Sequence, residues 1–108
     1  MKWVRVQILN TENDDIEDQL VFDLPVDEIT DEVMRSGPTF GLWGSFGRGE
    51  QYPFIFRIDD VIDFGSARDA ADRYWKSNIR NRPIRVGELC TIESTVAETY
   101  RVGKVVVL

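Results

Sequence analysis

Nineteen carboxylates, thirteen basic side chains, one thiol and no histidine are the reactive groups of this 108-residue chain. Without histidine, neither a Ser-His nor a Cys-His nucleophile can be assembled, and the commonest neutral metal ligand is missing. With Cys90 as the sole cysteine, a structural zinc site and an internal disulfide are also set aside. Chemistry would have to rest on carboxylates, arginines or tyrosines. The densest carboxylate group is Asp59, Asp60 and Asp63, three hard oxygen donors of the kind Mg²⁺ or Ca²⁺ takes. General acid–base work would need two of them in contrasting environments, and the neighbouring residues supply no such contrast. Aspartate also favours turns, so these three suit a loop between two elements. The run Asp14-Asp15-Ile16-Glu17-Asp18 lacks the central glycine of a calcium loop and reads as a solvated turn. No catalytic residue, metal or cofactor is assigned.

Binding chemistry is better represented. Residues 40–52 combine Phe40, Trp43, Phe46 and Tyr52 with glycines at 41, 44, 47 and 49 and with Arg48. Glycine permits close backbone approach, and the rings could stack on a ligand or anchor a partner; equally, they could build the core. The glycine spacing matches neither a dinucleotide fingerprint nor a phosphate-binding P-loop. A second feature is the basic run Arg73, Lys76, Arg80, Arg82 and Arg85, with no acid between residues 73 and 87. It suits phosphate contacts, as in a nucleic-acid-binding domain, or simply a solvated surface. Cys90 alternates with Ile92 and reads as a buried, inert thiol.

Charge is distributed unevenly. Residues 1–34 carry ten acids against Lys2 and Arg5, whereas the remaining 74 carry nine acids and eleven bases, within an overall net of −6. Overall acidity disfavours nucleic acid. It favours a protein partner with a basic surface, met by Asp14, Asp15, Asp31 and Glu32 and anchored by Phe40, Trp43, Phe46, Arg48 and Tyr52. The function expected is therefore a non-enzymatic protein-binding module, such as a small acidic inhibitor or adaptor. Alternatives are a nucleic-acid-binding domain using 73–85 and a carboxylate-metal enzyme at Asp59, Asp60 and Asp63. The lone cysteine points to a reducing, cytoplasmic compartment, and no apolar run is long enough to cross a membrane.

The elements that must position these residues follow from periodicity. Residues 2–9 alternate apolar and polar, predicting a strand that pairs with a second at 19–24, ended by Pro25. A short helix is predicted over 26–35, with Val26, Ile29 and Val33 as its stripe and Gly37-Pro38 as its stop. Residues 39–46 and 51–58 predict a second hairpin, the first arm being glycine-rich enough to form a packed loop instead. Apolar residues at 67, 70, 71, 74, 75 and 79 predict an amphipathic helix over 66–78, capped by Ser66 with Asp69 and laced by Asp69–Arg73 and Asp72–Lys76 pairs. Residues 88–93 and 99–108 predict a closing hairpin. The order ββαββαββ gives one α+β domain over 1–108, with two helices on a largely antiparallel sheet or partial barrel.

Overall fold

The computed structural model describes residues 1–12, 18–45, 50–67 and 72–108. Among them the alternating segments form eight strands: β1 (Lys2–Asn10), β2 (Gln19–Val26), β3 (Thr39–Ser45), β4 (Glu50–Phe56), β5 (Val61–Asp63), β6 (Tyr74–Ser77), β7 (Leu89–Glu93) and β8 (Ala97–Val107). Each is antiparallel to the next. β8 returns to pair with β1, Val4 opposite Val107 and Asn10 opposite Tyr100, closing a barrel. Every described strand thus has a neighbour on both sides, although β5 pairs only with Ile55 and Phe56 of β4.

Alternation decides what fills the barrel. Val4, Val6 and Ile8 from β1, Leu20, Phe22 and Leu24 from β2, Phe54 and Phe56 from β4, and Cys90, Ile92, Tyr100 and Val102 from β7 and β8 are all buried. Their rings form a connected series. Phe22 meets Phe56 and Phe54 edge-on at 5.0 and 5.2 Å, Phe54 meets Phe64 at 5.6 Å, Phe64 meets Trp75 at 4.8 Å, and Trp75 meets Trp43 at 5.1 Å. An eight-stranded barrel has an interior of the size that side chains occupy, and these residues form its core.

Neither predicted helix forms, and the α+β expectation, with its order ββαββαββ, is replaced by an all-β barrel with no α-helix among the described residues. At 26–35 the sheet takes the apolar stripe. Pro25 does not end β2 but lies within it opposite Trp3, and Val26 pairs with Lys2. Val33 bridges back to Val26, while Ile29 is left 89% exposed. The chain reverses between them because Asp27 Oδ1 accepts the Ile29 and Thr30 amides at 2.8 and 2.9 Å and Asp31 adopts φ 60°. A ten-residue helix containing β-branched residues has little stability of its own to set against this.

At 66–78 a 3-10 turn occupies Gly65–Ala67, and Tyr74–Ser77 is strand β6. Trp75 and Ser77 are buried while Tyr74 and Lys76 are exposed, a period of two. Trp75 pairs with Ile62 of the short strand β5, which the sequence does not reveal. Lys76 therefore stands on a strand, and the expected helical spacing from Asp72 does not exist; the Asp69 cap and the Asp69–Arg73 pair lie outside the described residues. Both remaining hairpins form, including the glycine-rich arm β3. No helix among the described residues is long and apolar enough to cross a membrane.

Candidate binding sites: the barrel mouth and the outer wall

The inward runs of β1, β2 and β8 each end in a polar residue at the same rim. Asn10 follows Ile8, Asp18 precedes Leu20, and Glu98 precedes Tyr100 and Val102. Asn10 Nδ2 donates to Asp18 Oδ2 at 3.1 Å and to Glu98 Oε2 at 2.5 Å. The Tyr100 hydroxyl donates to Asp18 Oδ1 at 2.8 Å, and Trp43 Nε1 donates to the same oxygen at 3.3 Å. Asp18 thus collects three neutral donors. Among the described residues no ion pair reaches either Asp18 or Glu98. A cavity of about 210 Å³ opens here, lined by Trp43, Trp75, Ile92 and Tyr100 together with Asp18, Ser94 and Glu98.

Burial pushes the Tyr100 hydroxyl well above its ordinary value, and donation to Asp18 and the negative charge beside it push the same way. Burial likewise pushes the Cys90 thiol up to about 12, leaving it protonated and a poor nucleophile. Both folded values exceed the unfolded ones, so the associated stability is fully present below the unfolded values and is lost as pH rises toward the folded ones. Urea midpoints should therefore fall between about pH 9 and pH 11. They should fall less steeply in Tyr100→Phe, which has no proton to lose; identical slopes would show that Tyr100 does not contribute.

The outer wall is different in kind. Cross-strand registers set Arg5, Asp23, Phe40, Ile55, Asp63 and Tyr74 in one outward row across β1 to β6. Phe40 is 64% exposed and Ile55 45%. The next row, Val21, Leu42 and Pro53, continues the apolar surface, and a groove of about 420 Å³ runs beside Phe40 over Leu42 and Pro53. Arg5 and Asp23 form a two-pronged ion pair at 2.8 and 3.0 Å on one flank. Asp63 stands on the other, accepting the Gly65 amide at 2.8 Å.

The residues singled out in the sequence are divided among these places. Trp43 and Tyr52 stack at 5.4 Å and both pack against the core near the mouth. Phe40 alone of the described rings in 40–52 stands clear on the wall. Asp31 and Glu32 lie at the opposite end. There Asp31 pairs with Arg85 at 3.1 Å and Lys2 at 3.8 Å, and Glu32 bridges Pro83. Asp14, Asp15, Phe46 and Arg48 fall outside the described residues. Asp59 pairs with Arg57 at 2.7 Å and Asp60 with Arg80 at 3.0 Å, and the described residues contain no cluster of three or more potential metal ligands.

Within the basic run, Arg80 is buried, Arg85 holds Asp31, and Arg82 lies 4.0 Å from Glu88. Most of this run's positive charge is engaged internally. Of the mouth residues, Asn10, Glu98 and Tyr100 are absent from the sequence-derived candidates, and Asp18 appears there only in a run read as a solvated turn, whereas it is part-buried and accepts three side-chain hydrogen bonds. Their signal was parity: each sits in phase with a buried apolar run.

Comparison with protein-family models, with curated proteins and with solved structures finds no match to the chain.

Proposed function

We propose that this chain is a non-enzymatic protein-binding module that docks a partner against the outer wall of β2, β3 and β4. The observation that carries this reading is the adjacent pair Phe40 and Ile55, exposed on a wall that Val21, Leu42 and Pro53 make continuously apolar. A clustered apolar surface with a polar rim is the usual mark of an interaction site, whereas scattered single side chains are not. At the centre of the wall β3 is paired on both sides, so it offers a partner side chains and no open sheet edge. Recognition then falls to side chains.

Asp23 and Asp63 bracket the apolar pair, and the chain carries a net charge of −6, so the partner surface is apolar at its centre and basic at its rim. A reducing cytoplasmic setting suits the single buried thiol.

The test is affinity capture with the wild type beside a Phe40→Ser/Ile55→Ser double variant of unchanged melting temperature. A specific partner should be retained by the wild type and lost by the variant. Its Kd should rise roughly thirtyfold, from about 2 kcal/mol at hot-spot positions, and its association rate should fall with salt. Equal capture by both proteins, or a wild type that dimerises through this face, would overturn the reading.

A further inference from the structure

We propose that two copies of this chain join edge to edge, β8 against β8, through the stretch 104–108. Backbone groups carry the argument. β7 accompanies β8 only as far as Leu89, which lies opposite Arg101. The last bonds between the two sides run from Gly87 N–H to the Val102 carbonyl and from Val102 N–H to the Glu88 carbonyl, both at 2.8 Å. Before Gly87 the chain crosses the end of the barrel instead, the Ile84 amide donating to the Asp31 carbonyl at 2.9 Å. Past Val102, β8 thus has β1 as its one paired neighbour among the described residues. In an antiparallel ladder, alternate residues turn their N–H and C=O to a given neighbour. Leu108 N–H donates to the Trp3 carbonyl at 2.9 Å, so Val106, opposite Arg5, and Lys104, opposite Gln7, also turn to β1. Val105 and Val107 turn the other way, where no described backbone group meets them.

The side chains of this open edge are apolar. Val106, Val107 and Leu108 are 41%, 60% and 59% exposed, and residues 105–108 contain no charged side chain and no proline. Unpaired edges template another strand, and charge and proline are the usual means of keeping them single. The geometry selects a second copy as the strand that fits. With a two-fold axis at Val106, Val105 faces the partner's Val107, and Val107 faces the partner's Val105. Each facing pair exchanges two N–H···O=C bonds, so every open group on both edges is satisfied by this stretch alone. Lys104 stands opposite the partner's Leu108, which keeps the two ammonium groups at opposite ends of the joint. Such a self-matching contact is what a closed dimer requires. Arg5 and Asp23 stand between this edge and Phe40, and the proposal does not rest on the docking wall.

The joint is short, so the dimer is weak. Sedimentation equilibrium of the wild type should show a monomer–dimer equilibrium with a Kd between about 10 μM and 1 mM. Val107→Pro removes an N–H that β1 does not use, as proline on an open edge does. It should weaken dimerisation roughly tenfold or more, with the dilute monomer melting within about 3 °C of the wild type. Phe40→Ser/Ile55→Ser should dimerise as the wild type does.

Hydrogen exchange on the wild type reads the same contact without a variant, should Val107→Pro fail to fold. The Val105 and Val107 amides should exchange more slowly as protein concentration rises, whereas the Val106 amide should be protected at every concentration. The proposal is overturned if the wild type stays monomeric at about 1 mM, which would leave the edge to a strand of another protein. It is equally overturned if folded Val107→Pro dimerises as tightly as the wild type, if Val105 and Val107 exchange independently of concentration, or if dimerisation is lost in Phe40→Ser/Ile55→Ser instead.

Discussion

Replacing Arg80 with methionine is expected to destabilise the barrel by about 3–5 kcal/mol, the loss typical of removing one partner from a buried charged network. The Arg80 side chain is 2% exposed. Its Nη1 donates to the Arg57 carbonyl at 2.5 Å and to Asp60 Oδ1 at 3.0 Å, and its Nη2 donates to the Phe56 carbonyl at 3.0 Å. The guanidinium carbon lies 3.8 Å from the centroid of the Phe56 ring. One planar group thus satisfies carbonyls at the end of β4, holds the turn into β5 and stacks on the core. Methionine has comparable bulk and no donors, so both carbonyls lose their donor from Arg80, and Asp60 is left with Arg35 at 3.5 Å.

Lysine retains the charge but concentrates its donors at one point, so Arg80→Lys should fall between the two. Arg82→Met is the contrast: its 4.0 Å pairing with Glu88 is exposed, and its loss should stay within about 0.5 kcal/mol. Urea denaturation followed by circular dichroism measures all three. A loss below about 1 kcal/mol for Arg80→Met would show that the network is not what closes this end.

The same residue shows why the sequence misled where it did. In the linear chain Arg80 belongs to a basic run with Arg73, Lys76, Arg82 and Arg85, and local charge suggests a surface. Its burial depends on carbonyls 23 and 24 residues earlier, brought beneath it by the successive pairing of β4, β5 and β6. Local periodicity was reliable where a strand has one face buried over many residues, as in Lys2–Asn10 and Gln19–Val26. It failed at 66–78 because β6 has only four residues and Trp75 fits a stripe of either period. The mouth was hidden for a different reason. Asp18 and Tyr100 are 82 residues apart, and they meet only because β8 returns to β1. In-phase polar residues at the ends of apolar runs carried that information, but a search for clustered residue types overlooks them. Of the rings read as anchors, Phe40 stands exposed on the wall, whereas Trp43, from the same segment, points inward.

That inward and outward division within β3 leads to the second large effect. Gly41→Ala is expected to cost about 3 kcal/mol, at the upper end of the range for overpacking. Gly41 lies between outward Phe40 and outward Leu42, so its substituent direction is into the barrel, opposite Phe54 and Phe22. A Cβ there would stand 2.3 Å from Phe54 Cζ and 2.4 Å from the Val21 carbonyl oxygen. The ring could be displaced only by disturbing its edge-on contacts with Phe22 and Phe64, and the carbonyl belongs to the paired strand β2. For a domain of this size such a loss lowers the melting temperature by roughly 12–24 °C.

A second substitution separates the two obstacles. Phe54→Leu in the Gly41→Ala background removes the ring but leaves the carbonyl. The double variant should recover only part of what Gly41→Ala loses relative to Phe54→Leu alone, a coupling that a double-mutant cycle reads directly. Gly41→Ala melting within about 3 °C of the wild type would mean that the Phe54 ring does not rest on β3 as described, and the aromatic packing behind the Phe40 wall would need to be redrawn.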